Sequence, residues 1–487
     1  MLQLAPTPLP SPAAGRRPRP SSACICCSSV RALEEAKRVV LVRHGQSTWN
    51  AEGRIQGSSD ASVLTPKGEA QAETCRQMLA SDSFDACFTS PLARSRRTAE
   101  IIWQGRGRGR GDGLIPDPDL REIDLYSFQG LLKREGRERY GPLYRQWQKN
   151  AAEFSIDGHY PVQELWDRAR SCWERILAHR GKSVLVVAHN AVNQALVATS
   201  LGLGAEHFRI LLQSNCGASV LDFTPRAGGG PPTVCLNRLN QYRPQTLLSL
   251  GEVLREERRA RGSFWPVKGL HKAVLRHVAL FFLLLRHNFA PNATAELIYV
   301  RTGKCFQSQK TAELLLDLKV DSIVCSPQVA AVDAATIICE VQEAADCLGA
   351  DCVPRYVETK RLIELEIEDA FQAKQKRFGD IGGGGTEYKS LERVWARSED
   401  AWQALLRELP DDTSERVVVA VGHPAIHLAL ICRCLGLPME YLSSFHLDEG
   451  SVSVIDFPDG PRGRGVVRCT NYTAHLGRWA IPITRPN

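Results

Sequence analysis

The chain lacks the features of a membrane protein and of a metal-bound or disulfide-rich scaffold. Its most apolar run, residues 278–285, is far shorter than the roughly 20 residues that a bilayer crossing needs. The 16 cysteines are scattered over 487 residues, and the two tight clusters at 24–27 and 432–434 lack the histidines or second cysteine pair of a zinc site. We therefore expect reduced, mostly buried thiols, no membrane span and no bound metal.

Acidic residues are absent before Glu34, and a basic stripe with interleaved aromatic residues is absent throughout. Residues 1–37 combine arginines with many serines, prolines and alanines, which is typical of a transit peptide, with a disordered tail as the alternative. Their serine and proline content favours the chloroplast stroma over the mitochondrion. The net charge of +7 is mild, so the expected partner is a small anionic molecule and not a nucleic acid. The pattern leaves the oligomeric state open.

An apolar stretch, Val39–Val42, runs directly into the tripeptide Arg43-His44-Gly45. Consecutive β-branched and leucine residues predict a strand buried on both faces, and Gly45 permits a tight turn at its end. Ligands bind at the carboxyl ends of strands in open parallel sheets. The Arg43 guanidinium is a permanent cation whose planar fork suits phosphate, and His44 offers a nucleophile or base at neutral pH. This pairing indicates phosphoryl chemistry.

A second strand of the same design lies further along the chain. Ser183–Ala188 is apolar, ends in His189-Asn190 and opens a helix. The segment 84–91 predicts another strand, after which Arg94 lies near a helix start, where backbone N–H groups and the helix dipole also favour an anion. Because neighbouring parallel strands end at the same edge of a sheet, we expect both histidines and both arginines to form one site.

Beyond residue 292 the first half recurs. The sequence around His189 matches that around His423, and Ser219 to Phe223 matches Ser453 to Phe457. Both 423 minus 189 and 453 minus 219 give 234, and an unbroken offset over that span indicates an internal duplication.

The second copy departs from the first at two positions of the predicted site. Thr302 stands at the position of His44, and Ala330, counted from Ser326, stands at that of Arg94. A phosphate pocket without its nucleophile and one of its cations should not turn over. We therefore expect a catalytically silent second half that serves packing, the shape of the first site, or regulation.

These patterns predict an α/β fold of two tandem three-layer domains, each a mostly parallel sheet with helices on both faces. The expected boundaries are 1–37 for the transit peptide, 38–243 for the catalytic domain, 244–292 for a partly helical linker and 293–487 for the degenerate domain.

The site residues resemble the motifs of the histidine phosphatase superfamily, which includes the cofactor-dependent phosphoglycerate mutases and the fructose-2,6-bisphosphatase domain. The matching positions are, in chain order, Arg43-His44-Gly45, Asn50, Gln56-Gly57, Arg94, Glu122 and His189. The resemblance covers nearly all of 38–243, with the degenerate copy at about 293–487. It departs at Asn190, where the family motif usually continues with glycine.

The resemblance implies a phosphoric monoester hydrolase that acts on a small sugar phosphate through a phosphohistidine on His44, with neither metal nor other cofactor. Glu122 is the implied general acid, and Asp124 is the nearby alternative. The groups implied to stabilise the phosphoryl group are Arg43, Arg94 and His189. The implied substrate contacts are Asn50, Gln56, Gly57 and Asn190.

Three other functions fit the same pattern. A phosphoglycerate mutase would retain the phosphohistidine and pass it to a second acceptor, and a broad sugar-phosphate phosphatase would use the same residues on many substrates. A non-catalytic module that binds a phosphorylated ligand would need the arginines but not His44 together with Glu122.

Overall fold

The computed structural model describes most of both halves of the chain. The described residues are 33–106, 113–226, 228–242, 295–301, 303, 305–315, 318, 320–346, 355–358, 362, 386–409 and 416–476. Most of the predicted transit peptide, the whole of the predicted linker 244–292, and Thr302 lie outside them.

The first half begins with a strand, Lys37–Arg43, whose apolar residues are buried, as the sequence predicts. Its elements, in chain order, are β1 (Lys37–Arg43), α1 (Thr48–Glu52), α2 (Pro66–Met78), β2 (Ala86–Thr89), α3 (Ala93–Trp103), β3 (Leu114–Pro116), α4 (Lys133–Lys149), α5 (Pro161–Ala178), β4 (Ser183–Ala188), α6 (Asn190–Ser200), β5 (Ala218–Thr224) and β6 (Thr233–Gln241).

The second half repeats this order with fewer helices among its described residues. Its elements are β7 (Ala295–Arg301), α7 (Cys305–Leu315), β8 (Ser322–Cys325), α8 (Val329–Asp346), β9 (Arg355–Glu358), α9 (Thr386–Glu408), β10 (Arg416–Gly422), α10 (Pro424–Cys434), β11 (Val452–Phe457) and β12 (Val466–Tyr472).

The two halves share one twelve-stranded sheet with the order β3-β2-β4-β1-β5-β6-β12-β11-β7-β10-β8-β9. In each half the four outer strands are parallel to one another, and the two strands nearest the centre of the sheet are antiparallel to their neighbours. The predicted fold class is therefore confirmed. The sequence did not predict that β6 and β12 pair edge to edge, with Leu239 opposite Thr470, so that the halves are joined by backbone hydrogen bonds.

Helices cover both faces of the sheet. On one face, α5, α6, α9 and α10 bury a single hydrophobic cluster that runs through both halves. On the other face, α2 and α3 cover the first half and α7 and α8 the second, each pair with a cluster of its own. Sharing one core makes the second half part of the first half's structural support. Within the described ranges, no helix carries an apolar stretch that could cross a bilayer.

Candidate active site

Two histidines follow the carboxyl ends of adjacent parallel strands. In the β1 and β4 pairing, Arg43 lies opposite Ala188, so His44 and His189 leave the sheet at the same edge. Their ring centroids are 5.0 Å apart at an interplanar angle of 65°. The structure thus brings together the two histidines that the sequence placed at one edge, because buried apolar strands fix the register on either side of them.

The tautomer of His44 is set by its own turn. Its Nδ1 lies 2.7 Å from the Gly45 carbonyl oxygen, and because a carbonyl only accepts, Nδ1 carries the proton and Nε2 keeps a lone pair. Burial lowers the pKa of His44 well below its ordinary value, and the charges of Arg94 and Arg43 lower it further. His44 is therefore a neutral imidazole with a nucleophilic Nε2 at physiological pH.

Two buried arginines flank His44. Arg43 donates to the Gln213 carbonyl at 2.9 Å, and Arg94, the second residue of α3, donates to the Ser59 and Gly57 carbonyls at 2.7 and 2.9 Å. Burial lowers the pKa of each arginine to about 10, so both stay charged at neutral pH. Because these bonds orient the guanidinium groups without neutralising them, the positive charge is available to an anion.

His189 is the N-cap of α6 and is fully buried. Its Nε2 lies 2.8 Å from the Ser90 hydroxyl, and its Nδ1 has no hydrogen-bond partner among the described residues. Burial lowers the pKa of His189 well below its ordinary value, with Arg94 and His44 adding to the shift. The buried Nε atoms of Arg43 and Arg94 are likewise without a partner in the part of the chain that the structure describes. A bound phosphate could satisfy such donors.

Glu122 lies at the amino terminus of α6. Its carboxylate accepts from the backbone N–H groups of Ile123 and Ala191 at 3.0 Å and of Val192 at 3.2 Å. Its charge acts on both site arginines, raising the pKa that burial lowers. Asp124, the alternative acid, accepts instead from the Tyr126 N–H and the Gln129 amide, which ties it to a turn.

The four predicted substrate contacts lie around this cluster in two places. The Asn50 amide donates to Gln56 Oε1 at 3.1 Å. Gly57 has a φ of 54° and supplies a carbonyl to Arg94, and a Cβ there would come within 2.3 Å of the Gln129 side chain. Asn190 is the first residue of α6, beside His189, and accepts from Gln194 at 3.0 Å. Their substrate roles stay predictions.

Several positioning residues escaped the sequence analysis. Asn215 donates its amide to the His44 carbonyl at 3.0 Å, Thr98 accepts from the Gly45 N–H at 3.2 Å, and Arg168 donates to the Glu122 carbonyl at 3.0 Å. Asn215 and Arg168 are far from their partners in sequence and carry no local signal. Ser90 could have been found, because it directly follows β2 at the same sheet edge as the histidines.

The second half keeps part of this arrangement. Arg301, at the end of β7, donates to the Leu447 carbonyl as Arg43 does to Gln213, and His423 is the N-cap of α10. Ala330 occupies the place of Arg94 near the start of α8. In the described residues of either half, no three His, Cys, Asp or Glu side chains lie close enough to share a metal ion.

Comparison with known proteins places the chain in a family. The family model described as "Histidine phosphatase superfamily (branch 1)" matches residues 39–229 and 305–468. The chain is 66% identical over 508 aligned residues to the 2-carboxy-D-arabinitol-1-phosphatase of Triticum aestivum, covering 100% of this chain and 98% of that protein. It is 56% identical to the "Probable 2-carboxy-D-arabinitol-1-phosphatase" of Arabidopsis thaliana, covering 93% of this chain and 91% of that protein.

A shorter relative matches one copy only. The "Probable phosphoglycerate mutase GpmB" of Serratia proteamaculans (strain 568) is 37% identical over 190 residues, which cover 38% of this chain and 84% of that protein. The family model, in contrast, matches both halves, in agreement with the duplication read from the sequence. On the extent of these matches and the geometry above, the chain belongs to the histidine phosphatase superfamily.

Proposed function

We propose that the first half hydrolyses a sugar phosphate monoester through a phosphohistidine on His44. The observation that carries the proposal is the neutral His44, whose Nδ1 proton is held by the Gly45 carbonyl while the charges of Arg43 and Arg94 act on it from nearby. A nucleophile with a free electron pair beside two cations suits attack on a phosphate dianion.

In the first step, His44 Nε2 attacks phosphorus and the bond to the ester oxygen breaks. The departing alkoxide takes a proton from Glu122, and the product alcohol leaves. The two arginines and His189 stabilise the charge on the transferring phosphoryl oxygens, since they are already in place and need little reorganisation.

In the second step, the ionised Glu122 accepts a proton from water as the water oxygen attacks phosphorus. The bond from phosphorus to His44 Nε2 breaks, which releases orthophosphate and restores the neutral imidazole. The backbone N–H groups of Ile123, Ala191 and Val192 hold the Glu122 carboxyl group in place for both proton transfers.

The site supplies the charges that a metal ion would otherwise supply. Arg43 and Arg94 are buried cations held by carbonyl oxygens, which supports phosphoryl transfer without a metal. We therefore propose that the activity is independent of divalent ions and of any other cofactor.

The proposed substrate is 2-carboxy-D-arabinitol 1-phosphate, which inhibits Rubisco by occupying its active site. The support is the name of the two relatives that match along nearly their whole length. We also propose that the enzyme acts in the chloroplast stroma, which the composition of residues 1–37 supports. The carboxylate requires a further cation. The sequence offers Arg54, Lys133 and the arginines of residues 106–110 for this role. Of these, Arg106 does not suit it, because its guanidinium donates to the carbonyls of Leu79 and Asp82.

Phosphate release by the leader-free protein tests this proposal. The panel is 2-carboxy-D-arabinitol 1-phosphate, fructose 2,6-bisphosphate, 3-phosphoglycerate and 2,3-bisphosphoglycerate, each with and without EDTA. We expect a clear preference for the first substrate and no effect of the chelator. Transfer of phosphate between phosphoglycerates without release would favour a mutase, and equal slow release from all four would favour a broad phosphatase.

The variant His44→Asn separates the enzyme from a binding module. Asparagine cannot form the phosphohistidine, so we expect turnover to fall by about 10⁴-fold or more while orthophosphate still binds. Acid-labile ³²P on the wild-type protein, absent from the variant, would identify the intermediate. A variant that still hydrolysed the substrate at a similar rate would contradict the mechanism.

A further inference from the structure

The loop that holds the site residues Arg43 and His44 is itself held by the second half. This loop, residues 210–217, follows the short 3₁₀ helix at residues 205–207 and leads into β5. We refer to it as the Arg43 loop. Its partners on one side are β1 and the turn after it, and on the other side the backbone of β12.

On the inner side, the Arg43 loop makes four bonds with the two site residues. The Gln213 carbonyl accepts from the Arg43 guanidinium at 2.9 Å, and Asn215 donates to the His44 carbonyl at 3.0 Å. The Gly217 carbonyl accepts from the Arg43 N–H at 3.2 Å, and the Cys216 N–H donates to the Arg43 carbonyl at 3.0 Å. The position of the loop therefore sets the position of the Arg43 guanidinium and of the backbone that carries both side chains.

On the outer side, β12 pairs with the Arg43 loop. The Val467 N–H donates to the Ile210 carbonyl at 2.8 Å, and the Val467 carbonyl accepts from Leu212 at 3.1 Å. Leu212 directly precedes Gln213, whose carbonyl orients Arg43. A bond to the second half and a bond to a site arginine are thus made by two consecutive residues.

Asn240, at the end of β6, links the two sides. Its side-chain oxygen accepts from the Ser214 N–H at 2.6 Å, and its amide donates to the Ser214 hydroxyl at 3.0 Å and to the Arg468 carbonyl of β12 at 2.9 Å. The residue is buried and has a φ of 56°. Arg468 is anchored in turn by ion pairs to Asp456 and Glu296 at 2.7 and 2.9 Å.

The second half contains a matching asparagine, whose side chain bonds to a strand of the first half. Asn471, with a φ of 53°, accepts from the Asp448 N–H at 2.7 Å and donates to the Asn237 carbonyl of β6 at 2.9 Å. The offset from 214 to 448 is again 234. Asn240 and Asn471 therefore make equivalent bonds across the joint. The difference is that the loop held by Asn240 contacts Arg43 and His44, whereas the corresponding loop in the second half contacts Arg301, which is followed by a threonine.

We propose that Asn240 is a positioning residue for phosphate binding and turnover, and that the second half acts through it and β12 to fix the Arg43 loop. The turnover part rests on the proposed function, whereas the effect on phosphate affinity does not. A small displacement of the loop moves the guanidinium of Arg43 and the ring of His44 together, which misaligns both charge stabilisation and attack.

The test compares Asn240→Gly with Asn471→Gly in the full chain. Glycine adopts the positive φ freely, so each variant removes only the side-chain bonds. We expect Asn240→Gly to raise the dissociation constant for orthophosphate, measured by calorimetry, by about tenfold and to lower kcat by up to about 100-fold. We expect Asn471→Gly to change both by no more than about twofold, because the partners of its side chain, Asp448 and Asn237, bond to neither Arg43 nor His44. Both should lower the thermal midpoint to a similar extent.

A second pair of variants, Ser219→Ala and Ser453→Ala, removes fewer hydrogen bonds and keeps the test decisive if either glycine variant does not fold. The Ser219 hydroxyl accepts from the Asn240 N–H at 3.0 Å and donates to the Gln213 side chain at 3.2 Å, and the Ser453 hydroxyl accepts from the Asn471 N–H at 3.2 Å. Ser219→Ala should weaken phosphate binding and Ser453→Ala should not.

Equal effects within each pair would overturn the positioning role, because the joint would then matter for stability alone. Wild-type protein that binds phosphate but hydrolyses no monoester would overturn the proposed function instead. In that case the phosphate dissociation constants of the variants still decide the positioning role.

Discussion

At the carboxyl end of β1, Arg43 donates to the Gln213 carbonyl, and at the corresponding end of β7, Arg301 donates to the Leu447 carbonyl. The next residue is His44 in the first half and Thr302 in the second. Both halves also keep a histidine as the N-cap of the following α6 or α10 helix. The second half thus keeps the backbone contacts that support the site although it lacks the proposed nucleophile, which indicates that these contacts serve the fold as well as the proposed chemistry.

The strand pairs next to the joint between the halves also share an irregularity in their register. β5 and β6 shift register between Ala218 and Val220, and β11 and β12 shift between Val452 and Val454. Each shift lies opposite a positive-φ residue that is the last but one of a central strand, Asn240 of β6 or Asn471 of β12. A β-bulge bends and twists a strand at a defined position. The second half has this register shift although Thr302 stands in the place of His44, which indicates that the shift serves the joint between the halves.

After replacement of His44 itself, the largest effect on this comparison is expected when the first half receives the alanine that the second half has in place of Arg94. Arg94→Ala reproduces Ala330 and removes a buried cation that acts on His44 and His189. We expect kcat/KM to fall by about 10³-fold, as for the loss of one preorganised donor in a transition state. Phosphate release at subsaturating substrate measures it.

Two controls define this effect. Arg97→Ala removes an exposed arginine of the same helix, which pairs with Glu69 at 2.8 Å, and should leave kcat/KM nearly unchanged. Arg94→Lys keeps the charge but loses the fork that reaches both Ser59 and Gly57, so it should recover only part of the activity. An Arg94→Ala variant as active as Arg97→Ala would remove Arg94 from the site.

The parts of the site that the sequence predicted share one physical property. β1 and β4 each contain a run of apolar residues that is followed by polar ones, and the end of the run marks the end of the strand. The sheet edge at which His44 and His189 emerge could therefore be predicted from the sequence. Local chemistry also sets the start of α2, where the Thr65 side chain accepts from the Gly68 N–H and Pro66 takes the first helical position, which requires no donor.

The parts that the sequence did not predict depend on contacts between distant residues. Asn215 reaches the His44 carbonyl across 171 positions, and Asn240 reaches Arg468 across 228. Neither asparagine lies in a recognisable motif, and the edge pairing of β6 with β12 has no periodicity of its own. Buried polar groups find partners wherever the fold brings them, so such links become visible only in three dimensions.

A smaller difference between the halves is expected when Gly45 and Gly303, which lie two residues after Arg43 and Arg301, are replaced by alanine. In Gly45→Ala, the new Cβ would lie 2.2 Å from the Gly68 carbonyl oxygen, which is backbone within α2. In Gly303→Ala, the closest atom, at 2.5 Å, is the end of the flexible Gln307 side chain, with the Gly450 N at 3.1 Å. We expect Gly45→Ala to cost about 1–3 kcal/mol of unfolding free energy and Gly303→Ala less than about 1 kcal/mol.

Urea unfolding monitored by tryptophan fluorescence measures this pair. Phosphate release gives a second readout, because the Gly45 carbonyl also fixes the tautomer of His44, so Gly45→Ala should lose activity and Gly303→Ala should keep it. Equal costs for the two variants would mean that the approach of Gly45 to α2 is no tighter than its counterpart in the second half.

The smallest effect concerns acid stability and a residue that the halves do not share. His427, within α10, takes the place of Asn193 in α6, and burial, together with smaller contributions from His423 and Arg301, lowers its pKa to about 3. Below pH 6.5 the unfolded chain binds a proton at this position that the folded chain does not. Stability conferred by the neutral folded form is therefore complete above that pH and is lost as the pH falls.

Replacing this histidine should flatten that pH dependence. Between pH 7.5 and pH 5.5, wild type should lose about 1.4 kcal/mol more unfolding free energy than His427→Asn, which is the proton uptake of one unperturbed histidine in the unfolded chain. Urea midpoints at the two pH values measure the difference. The reciprocal variant Asn193→His places a histidine at a site that is equally buried, so it should steepen the dependence by a similar amount. If His427→Asn kept the full wild-type slope, His427 would have to be protonated in the folded chain, and the second half would hold a buried charge where the first half holds a neutral amide.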